Sequence, residues 1–362
     1  MSWFLAALGF MVLIVLHEAG HFTAAKLVGM RVERFSLFFP PLLFRKKIGE
    51  TEYAIGAIPA GGYVKITGMN PSEELTDEER TRSYYAQPVW KRITVIAAGP
   101  AVNLVLGFVL LAVYFAVIGF HEGNGVGSVS KGFPAQGVLH PGDLLLAVDG
   151  HGGSVDRLAK QIASHRCAVQ PPVNRCKATT PATLTILRHG QRMTVRMTPV
   201  YDAKVTPHKM RLGFGFDPNA GPRQTVGVGD AFSRAGTSFW NITKATVSIP
   251  AKILDPKQRG QIHGIVGNYE VTRQTILHDT GDVLGIMAII SLALAIVNLF
   301  PFLPLDGGHI FWAVVEKIRR KPVPYSTMER SGVIGFALVL MLFAIGLTND
   351  IGVLKGKGFG PP

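Results

Sequence analysis

Two histidines and a glutamate interrupt an apolar stretch near the start of the chain, where residues 12–22 read VLIVLHEAGHF. In an α-helix a step of four residues returns to nearly the same face, so His17 and His21 can offer ring nitrogens to one metal ion. Glu18 lies roughly 100° around the helix, close enough to act on a water held by that ion. Two imidazoles at this spacing, with a glutamate that is a general base and not a ligand, are typical of zinc hydrolases.

The apolar surroundings of this motif favour a functional role. In a soluble protein the five-residue pattern can arise by chance. Inside an apolar helix, two imidazoles and a carboxylate are costly unless something satisfies them. We therefore interpret the motif as a site for Zn²⁺.

The composition is that of an integral membrane protein. Of the 362 residues 48% are hydrophobic, and the formal net charge is +13. Since the basic residues cluster beside apolar segments, as in cytoplasmic loops, we expect membrane lipid and not nucleic acid as their partner. The two cysteines, Cys167 and Cys176, exclude a disulfide framework and a thiolate metal site.

Four transmembrane helices are expected, at about 2–28, 93–120, 283–305 and 332–348. A cleaved signal peptide is the alternative for the first, but no positive charge precedes its apolar run. In the second, Asn103 is expected to hydrogen-bond a neighbouring helix or loop, with a direct catalytic role as the alternative. At the end of the third, Pro301 and Pro304 require the chain to bend or unwind.

The segments between the spans predict four regions: a membrane part at 1–120, a β-rich part at 121–205, a connecting part at 206–281 and a second membrane part at 282–362. Within the first, 35–67 reads as a membrane-associated β-hairpin. A helix at 228–249 lies either on the membrane surface or in the core of an extracytoplasmic subdomain.

The β-rich part at 121–205 contains the phrase FPAQGVLHPGDLLLAVDG, which resembles the PDZ domains of bacterial membrane proteases. Such α+β domains bind extended peptide ends by strand addition. A purely structural small β-domain is the alternative. A disulfide between Cys167 and Cys176 can form if this region faces an oxidising space.

Charge asymmetry orients the chain and points to a third metal ligand. The loops after the first and third spans are rich in Lys and Arg, so both are predicted to be cytoplasmic, with the amino terminus and 121–205 extracytoplasmic. His17 then lies in the inner half of the membrane, at the depth of Asp306. A catalytic zinc needs three protein ligands and an open position, and Asp306 supplies the third, although an Asp-Gly turn is the simpler reading of that residue. His309 is expected beside the site or in a cytoplasmic turn.

Together the motifs HEAGH, AIPAGGYVKI, GPAVN and NLFPFLPLDGG resemble the site-2 protease family (peptidase family M50) of zinc intramembrane metalloproteases, in its bacterial RseP-like, four-span type. The resemblance implies a polytopic α-helical protein in the bacterial cytoplasmic membrane that cleaves transmembrane segments of single-span proteins. Anti-sigma factors and remnant signal peptides, cut beforehand by another protease, are the implied substrates.

The resemblance also implies roles for single residues. Glu18 would be the general base, Asn298 would support the reacting carbonyl in the transition state, and Gly61, Gly62 and Tyr63 would receive the substrate as an added strand. Two departures concern substrate access: one PDZ-like domain is evident where some relatives have two, and the segment GIVGNYEV is a loose match to the family pattern.

Two other classes of protein stay open at this point. A membrane-anchored PDZ scaffold without catalysis predicts that HEAGH is dispensable. A metal transporter predicts ionisable residues in several spans, whereas spans two and four carry almost none.

Overall fold

The computed structural model describes residues 2–70, 73–121, 123–169, 171–203, 209–217, 223–255 and 280–355, with 264, 266, 267, 269, 270 and 273. The chain divides into two compact units: Met1–Ala116 with Gly227–Pro361, and Val117–Val226. Residues 265, 268 and 271 of the GIVGNYEV segment, and Glu122, lie outside the described residues.

Helices dominate the first unit. They are α1 (Ser2–Leu27), α2 (Asp77–Thr81), α3 (Val89–Val113), α5 (Val228–Val247), α6 (Ile249–Leu254), α7 (Val283–Asn298), α8 (Asp306–Arg319) and α9 (Tyr325–Lys355). A π-helical turn, Tyr114–Ile118, extends α3, and a 3₁₀ turn, Thr280–Asp282, precedes α7.

Three helices among the described residues are long and apolar enough to cross a membrane: Ala7–Leu27, Val89–Ile118 and Ser326–Val353. The predicted third span is shorter than expected, because α7 has 16 residues and ends at Asn298 instead of continuing to 305. Residues 299–305 form turns around Pro301 and Pro304, and a new helix starts at Asp306. The protein is therefore polytopic, and the unwinding that the two prolines predict is present.

The predicted β-hairpin is a small sheet made from two long strands, β1 (Val32–Ile48) and β2 (Thr51–Ile66). Both strands bend, so that 32–39 lies between 51–58 and 62–66, while 42–48 pairs with the outer side of 51–58. In the part of the chain that the structure describes, 62–66 pairs with a strand on one side only. It is thus an edge strand.

An ion-pair cluster ties this sheet to α1 and α2. The carboxylate of Glu50, in the β1–β2 turn, lies 2.6 Å from Lys26 Nζ at the end of α1. It also accepts hydrogen bonds of 2.7 and 3.0 Å from Arg82, which follows α2. The hydrogen bonds from Arg82 and then Lys26 lower the pKa of Glu50 to about 2.

Helix α5 packs against α3 and α7 through small side chains. Ala231 and Ala235 are buried, whereas Phe232 and Trp240 are more than half exposed. The helix therefore has one face in the core of the first unit and an apolar face outside it, and both predicted alternatives for its place relative to the membrane stay predictions.

Strands dominate the second unit. They are β3 (Gly125–Val129), β4 (Leu144–Val148), β5 (His151–Gly152), β6 (Ala182–Arg188), β7 (Gln191–Met197), β8 (Val200–Asp202), β9 (Lys209–Arg211) and β10 (Phe214–Asp217), together with the helix α4 (Val155–Ala163). The main sheet has the order β10-β3-β4-β6-β7, with β5 paired to β4. Leu158 and Ile162 of α4 pack into its core.

The second unit extends further than the predicted region 121–205. Because β10 pairs antiparallel with β3, residues 214–217 belong to the same sheet and not to the connecting part. Cys167 and Cys176 form a disulfide, with 5.9 Å between their Cα atoms.

Candidate metal centre

Three side chains from opposite ends of the chain meet inside the first unit. His17 Nε2 lies 3.2 Å from His21 Nε2 and 3.2 Å from Asp306 Oδ2, and His21 Nε2 lies 3.3 Å from that same oxygen. Both histidines are buried. The three atoms form a nearly equilateral triangle. Among the described residues these side chains form the group that could hold a metal ion.

The triangle fits zinc. A tetrahedral ion with bonds of 2.0–2.1 Å separates its ligand atoms by about 3.3 Å. In addition, His21 Nδ1 lies 2.9 Å from the carbonyl oxygen of Val95 and donates to it. A neutral imidazole carries one proton, so with the proton on Nδ1 the Nε2 atom of His21 has a free lone pair, which faces Asp306. Lone pairs converge here, which is the arrangement that a cation stabilises.

Helix α3 shapes the side of the centre that holds His21. A Cβ added at Gly99 would lie 2.2 Å from His21 Nε2, so only glycine leaves room for the ring. One turn earlier, Val95 supplies the carbonyl described above. At Gly20, an added Cβ would lie 2.7 Å from the Ala98 carbonyl oxygen, so α1 and α3 are in close contact.

Glu18 faces the edge strand of the small sheet. A Cβ added at Gly62 would lie 3.0 Å from Glu18 Cγ and 3.0 Å from the carbonyl oxygen of Ser36. A small pocket beside Glu18 is lined mainly by apolar residues of α1 and the sheet, including Met11, Ile14 and Phe35. Tyr63 stacks on Phe39, with 5.8 Å between ring centroids. Gly61, Gly62 and Tyr63 thus lie at or next to the edge strand that borders the general-base candidate.

Asn298 also lies at the centre. It is the last residue of α7, and its Nδ2 is 3.4 Å from His17 Nε2. The same side chain is therefore within reach of a group held between the metal ligands and the edge strand.

Two other polar residues, Asn103 and His309, differ in part from what the sequence predicts. Asn103 is fully buried, but the bond between α3 and α7 runs from Ser291 Oγ to the backbone carbonyl of Asn103, at 2.9 Å. The amide of Asn103 makes no hydrogen bond within the described part of the chain. His309 lies on α8, three residues after Asp306 and beside a small pocket with Tyr84 and Arg92, so the turn is wrong and a place beside the metal centre stays a prediction.

Sequence reasoning missed Arg92 and Glu316. Arg92 precedes the predicted second span, which starts at about 93, and was therefore assigned to the basic loop before it, yet it lies in α3 and is 3% exposed. An arginine directly before a long apolar run is the signal that could have identified it.

The model of peptidase family M50 matches residues 5–342. The chain belongs to this family. A protein of Rhizobium meliloti named as a candidate zinc metalloprotease is 30% identical over 95% of this chain and 94% of its own length. A protein of Nostoc named in the same way is 31% identical over 91% of this chain and 90% of its own.

The zinc metalloprotease Rip1 of Mycobacterium bovis is 28% identical over 96% of each chain. A solved PDZ domain of an SdrC-like protein from Listeria innocua is similar to 27% of this chain and 92% of its own, at 19% identity and a TM-score of 0.20. Membership of family M50 confirms the predicted site-2 protease family, the intramembrane peptidase activity and the zinc cofactor. It excludes the scaffold and transporter alternatives as the main function.

Proposed function

We propose that His17, His21 and Asp306 hold the zinc ion and that the enzyme cleaves transmembrane segments of single-span proteins beside it. The triangle of ligand atoms carries this proposal. Its sides of 3.2, 3.2 and 3.3 Å match the ligand spacing of tetrahedral zinc. Bound zinc supplies a Lewis acid that polarises a carbonyl and makes a water molecule more acidic.

Two residues beside the ion have separate roles in the reaction, one in proton transfer and one in stabilising the substrate carbonyl. Glu18 accepts the proton of the attacking water and returns it to the leaving amine. The amide of Asn298 donates to the carbonyl oxygen of the substrate as negative charge develops there. Glu18 comes from α1 and Asn298 from the end of α7, so two apolar helices bring these polar groups to the metal ligands.

The substrate binds as an extended chain. A peptide bond inside a helix is hidden by its neighbours, so a transmembrane segment has to unwind before it can be cut. The backbone edge of 62–66 replaces the hydrogen bonds that unwinding breaks, by strand addition next to Glu18. Gly62 has no side chain to block this approach.

The enzyme acts in the bacterial cytoplasmic membrane, with its amino terminus and the PDZ-like unit on the extracytoplasmic side. The Lys- and Arg-rich loops support this orientation. The disulfide between Cys167 and Cys176 supports it as well, because disulfides persist in oxidising compartments.

The PDZ-like unit admits substrates that another protease has already shortened. Its sheet ends in the short strand β10, and an edge of this kind can take up an extended peptide end. Replacing Val117–Val226 by a flexible linker should allow cleavage of full-length, untrimmed substrates. Unchanged preference for trimmed substrates would argue against the filter.

Glu18→Gln tests the central proposal. The variant should bind zinc as the wild type does, because Glu18 is not a ligand, and should lose about 10³-fold in the cleavage rate of a single-span substrate. Glu74→Gln, at an exposed glutamate, is the matched control and should cleave normally. A Glu18→Gln variant that cleaves at the wild-type rate would reject this role.

A further inference from the structure

A partly buried ion pair joins α3 to α8, with Arg92 buried and Glu316 partly exposed. Arg92 donates from Nη1 and Nη2 to the two carboxylate oxygens of Glu316, at 3.0 and 2.8 Å. The guanidinium carbon lies 5.9 and 5.5 Å from the ring centroids of Tyr84 and Tyr85. The pair is therefore bidentate, and aromatic rings hold the arginine in place.

Both helices of this pair also carry parts of the metal centre. On α3, Arg92 precedes by one turn Val95, whose carbonyl orients His21. On α8, Glu316 follows the ligand Asp306, which begins the helix. One stretch of α3 thus orients one metal ligand and, through the ion pair, holds the helix that supplies another.

Stability alone does not account for such a pair. Burying an ion pair costs desolvation energy, and a well-packed apolar pair of similar size often stabilises a protein equally well or better. Arg92 Nε is buried without a hydrogen-bond partner among the described residues, which adds to the cost. What a bidentate pair supplies, and an apolar contact does not, is a fixed direction and distance between two helices.

The direction of α8 matters because a small rotation of this helix at Glu316 displaces Asp306 at its other end. Ten residues of helix separate Glu316 from Asp306, or about 15 Å. A rotation of α8 by about 4° around the pair would move Asp306 by about 1 Å. Metal sites tolerate deviations of about 0.2 Å in ligand distance.

We propose that the Arg92–Glu316 pair is a positioning device, which holds α8 so that Asp306 meets His17 and His21 at the spacing that zinc requires. This inference rests on the proposed function, because it takes Asp306 as a ligand. Neither Arg92 nor Glu316 touches the metal or the substrate.

The test uses the full-length protein in detergent, with zinc affinity from chelator competition and the unfolding temperature of the zinc-free form. Arg92→Met and Glu316→Gln should each weaken zinc binding about tenfold or more, because a displaced Asp306 exceeds the deviation in ligand distance that a metal site tolerates. They should also lower kcat with little change in KM. Arg188→Met, which breaks the Arg188–Asp143 pair in the other unit, is the control and should leave zinc affinity unchanged.

The double variant Arg92→Met/Glu316→Met separates positioning from stability. Its apolar contact should restore the unfolding temperature of the zinc-free protein but not its zinc affinity. Should single variants misfold, Arg92→Lys, which keeps the charge but not the two-pronged contact, should fold and show intermediate zinc affinity.

Three results would overturn the inference: wild-type zinc affinity in the double Met variant, wild-type affinity in Arg92→Lys, or single variants that change the unfolding temperature alone. If instead the wild type itself binds no zinc, the proposed function fails and not only this inference.

Discussion

His17 Nε2 and Asp306 Oδ2 lie 3.2 Å apart, although one residue belongs to the first helix and the other begins a helix near the end of the chain. Asp306 Oδ2 is a buried atom, and a carboxylate oxygen at this distance from an imidazole nitrogen either shares a metal ion with it or forms an ion pair. Because His21 presents its own Nε2 to the same oxygen at 3.3 Å, a shared cation explains all three contacts.

Asp306→Ala should abolish zinc binding. The substitution removes one of three protein ligands, and two imidazoles alone hold zinc weakly. Metal analysis of the purified protein should give close to one zinc per chain for the wild type and almost none for the variant. Asp156→Ala, at an exposed residue of α4, should keep its zinc. Equal zinc in Asp306→Ala and wild type would show that Asp306 is not a ligand.

Gly99→Ala should damage the site through a single methyl group. The added Cβ would lie 2.2 Å from His21 Nε2, so the ring has to move away from the metal position. We expect zinc affinity to fall about tenfold or more, measured by chelator competition. Gly229→Ala, where the added Cβ meets nothing within 4 Å, is the control. Wild-type affinity in Gly99→Ala would mean that the ring adapts without loss.

Asn298→Ala should lower kcat and leave the metal in place. Removing an amide that donates to the developing negative charge lowers the rate by about 10²–10³-fold. The measurement is single-turnover cleavage of a transmembrane substrate together with zinc content. If zinc is lost along with activity, Asn298 supports His17, 3.4 Å away, and not the substrate carbonyl.

The Glu50 cluster should make stability depend on pH in the acid range. Hydrogen bonds from Arg82 and Lys26 lower the pKa of Glu50 to about 2, compared with about 4.3 in an unfolded chain. Because the folded-state pKa is depressed, the stabilisation is complete above about pH 5 and is lost as the pH falls towards 2. Glu50→Gln should therefore destabilise by up to about 1 kcal/mol at pH 7, a modest value because the cluster is partly exposed. The destabilisation should be much smaller near pH 2, where Glu50 of the wild type is largely protonated.

Arg82→Leu provides the check on that cause. The substitution removes the hydrogen bonds that contribute most to the lowered pKa of Glu50. The carboxyl titration of Glu50, followed by carbon NMR, should therefore shift to higher pH. A midpoint that does not move would contradict the assignment to Arg82.

Removing the disulfide should destabilise the second unit. For the loop that Cys167 and Cys176 close, chain entropy predicts a loss of about 2–3 kcal/mol in the Cys167→Ala/Cys176→Ala variant. Denaturant unfolding of the full-length protein, followed by a probe in this unit, measures the change. Reducing agent should lower the stability of the wild type by the same amount and leave the variant unaffected.

Local patterns were sufficient to predict the centre of the site. Helical spacing brings His17 and His21 to one face, and the length of apolar sequence before Asp306 predicts that it lies at a similar depth. Neither inference requires knowledge of which helices pack together. For the same reason, the helices and the unwinding at Pro301 could be predicted.

Contacts that depend on packing could not be predicted in this way. The contact of Gly99 with His21 and the pairing of Arg92 with Glu316 appear only when α1, α3 and α8 are assembled. Alternation of apolar residues indicates strands but not their register, so the bends in β1 and β2 were missed. The extension of the second unit to β10 was missed because a short strand pairs with one far earlier in the chain.

The short length of α7 affects how water, the second reactant in peptide hydrolysis, reaches the site. A helix of 16 residues is about 24 Å long, whereas the hydrocarbon layer is ~30 Å thick. In the membrane arrangement that we propose, lipid next to α7 has to thin, or polar headgroups have to sink towards one end of that helix. Asn298 stands at one end of α7, so such a dip in the bilayer would bring water close to the proposed metal site.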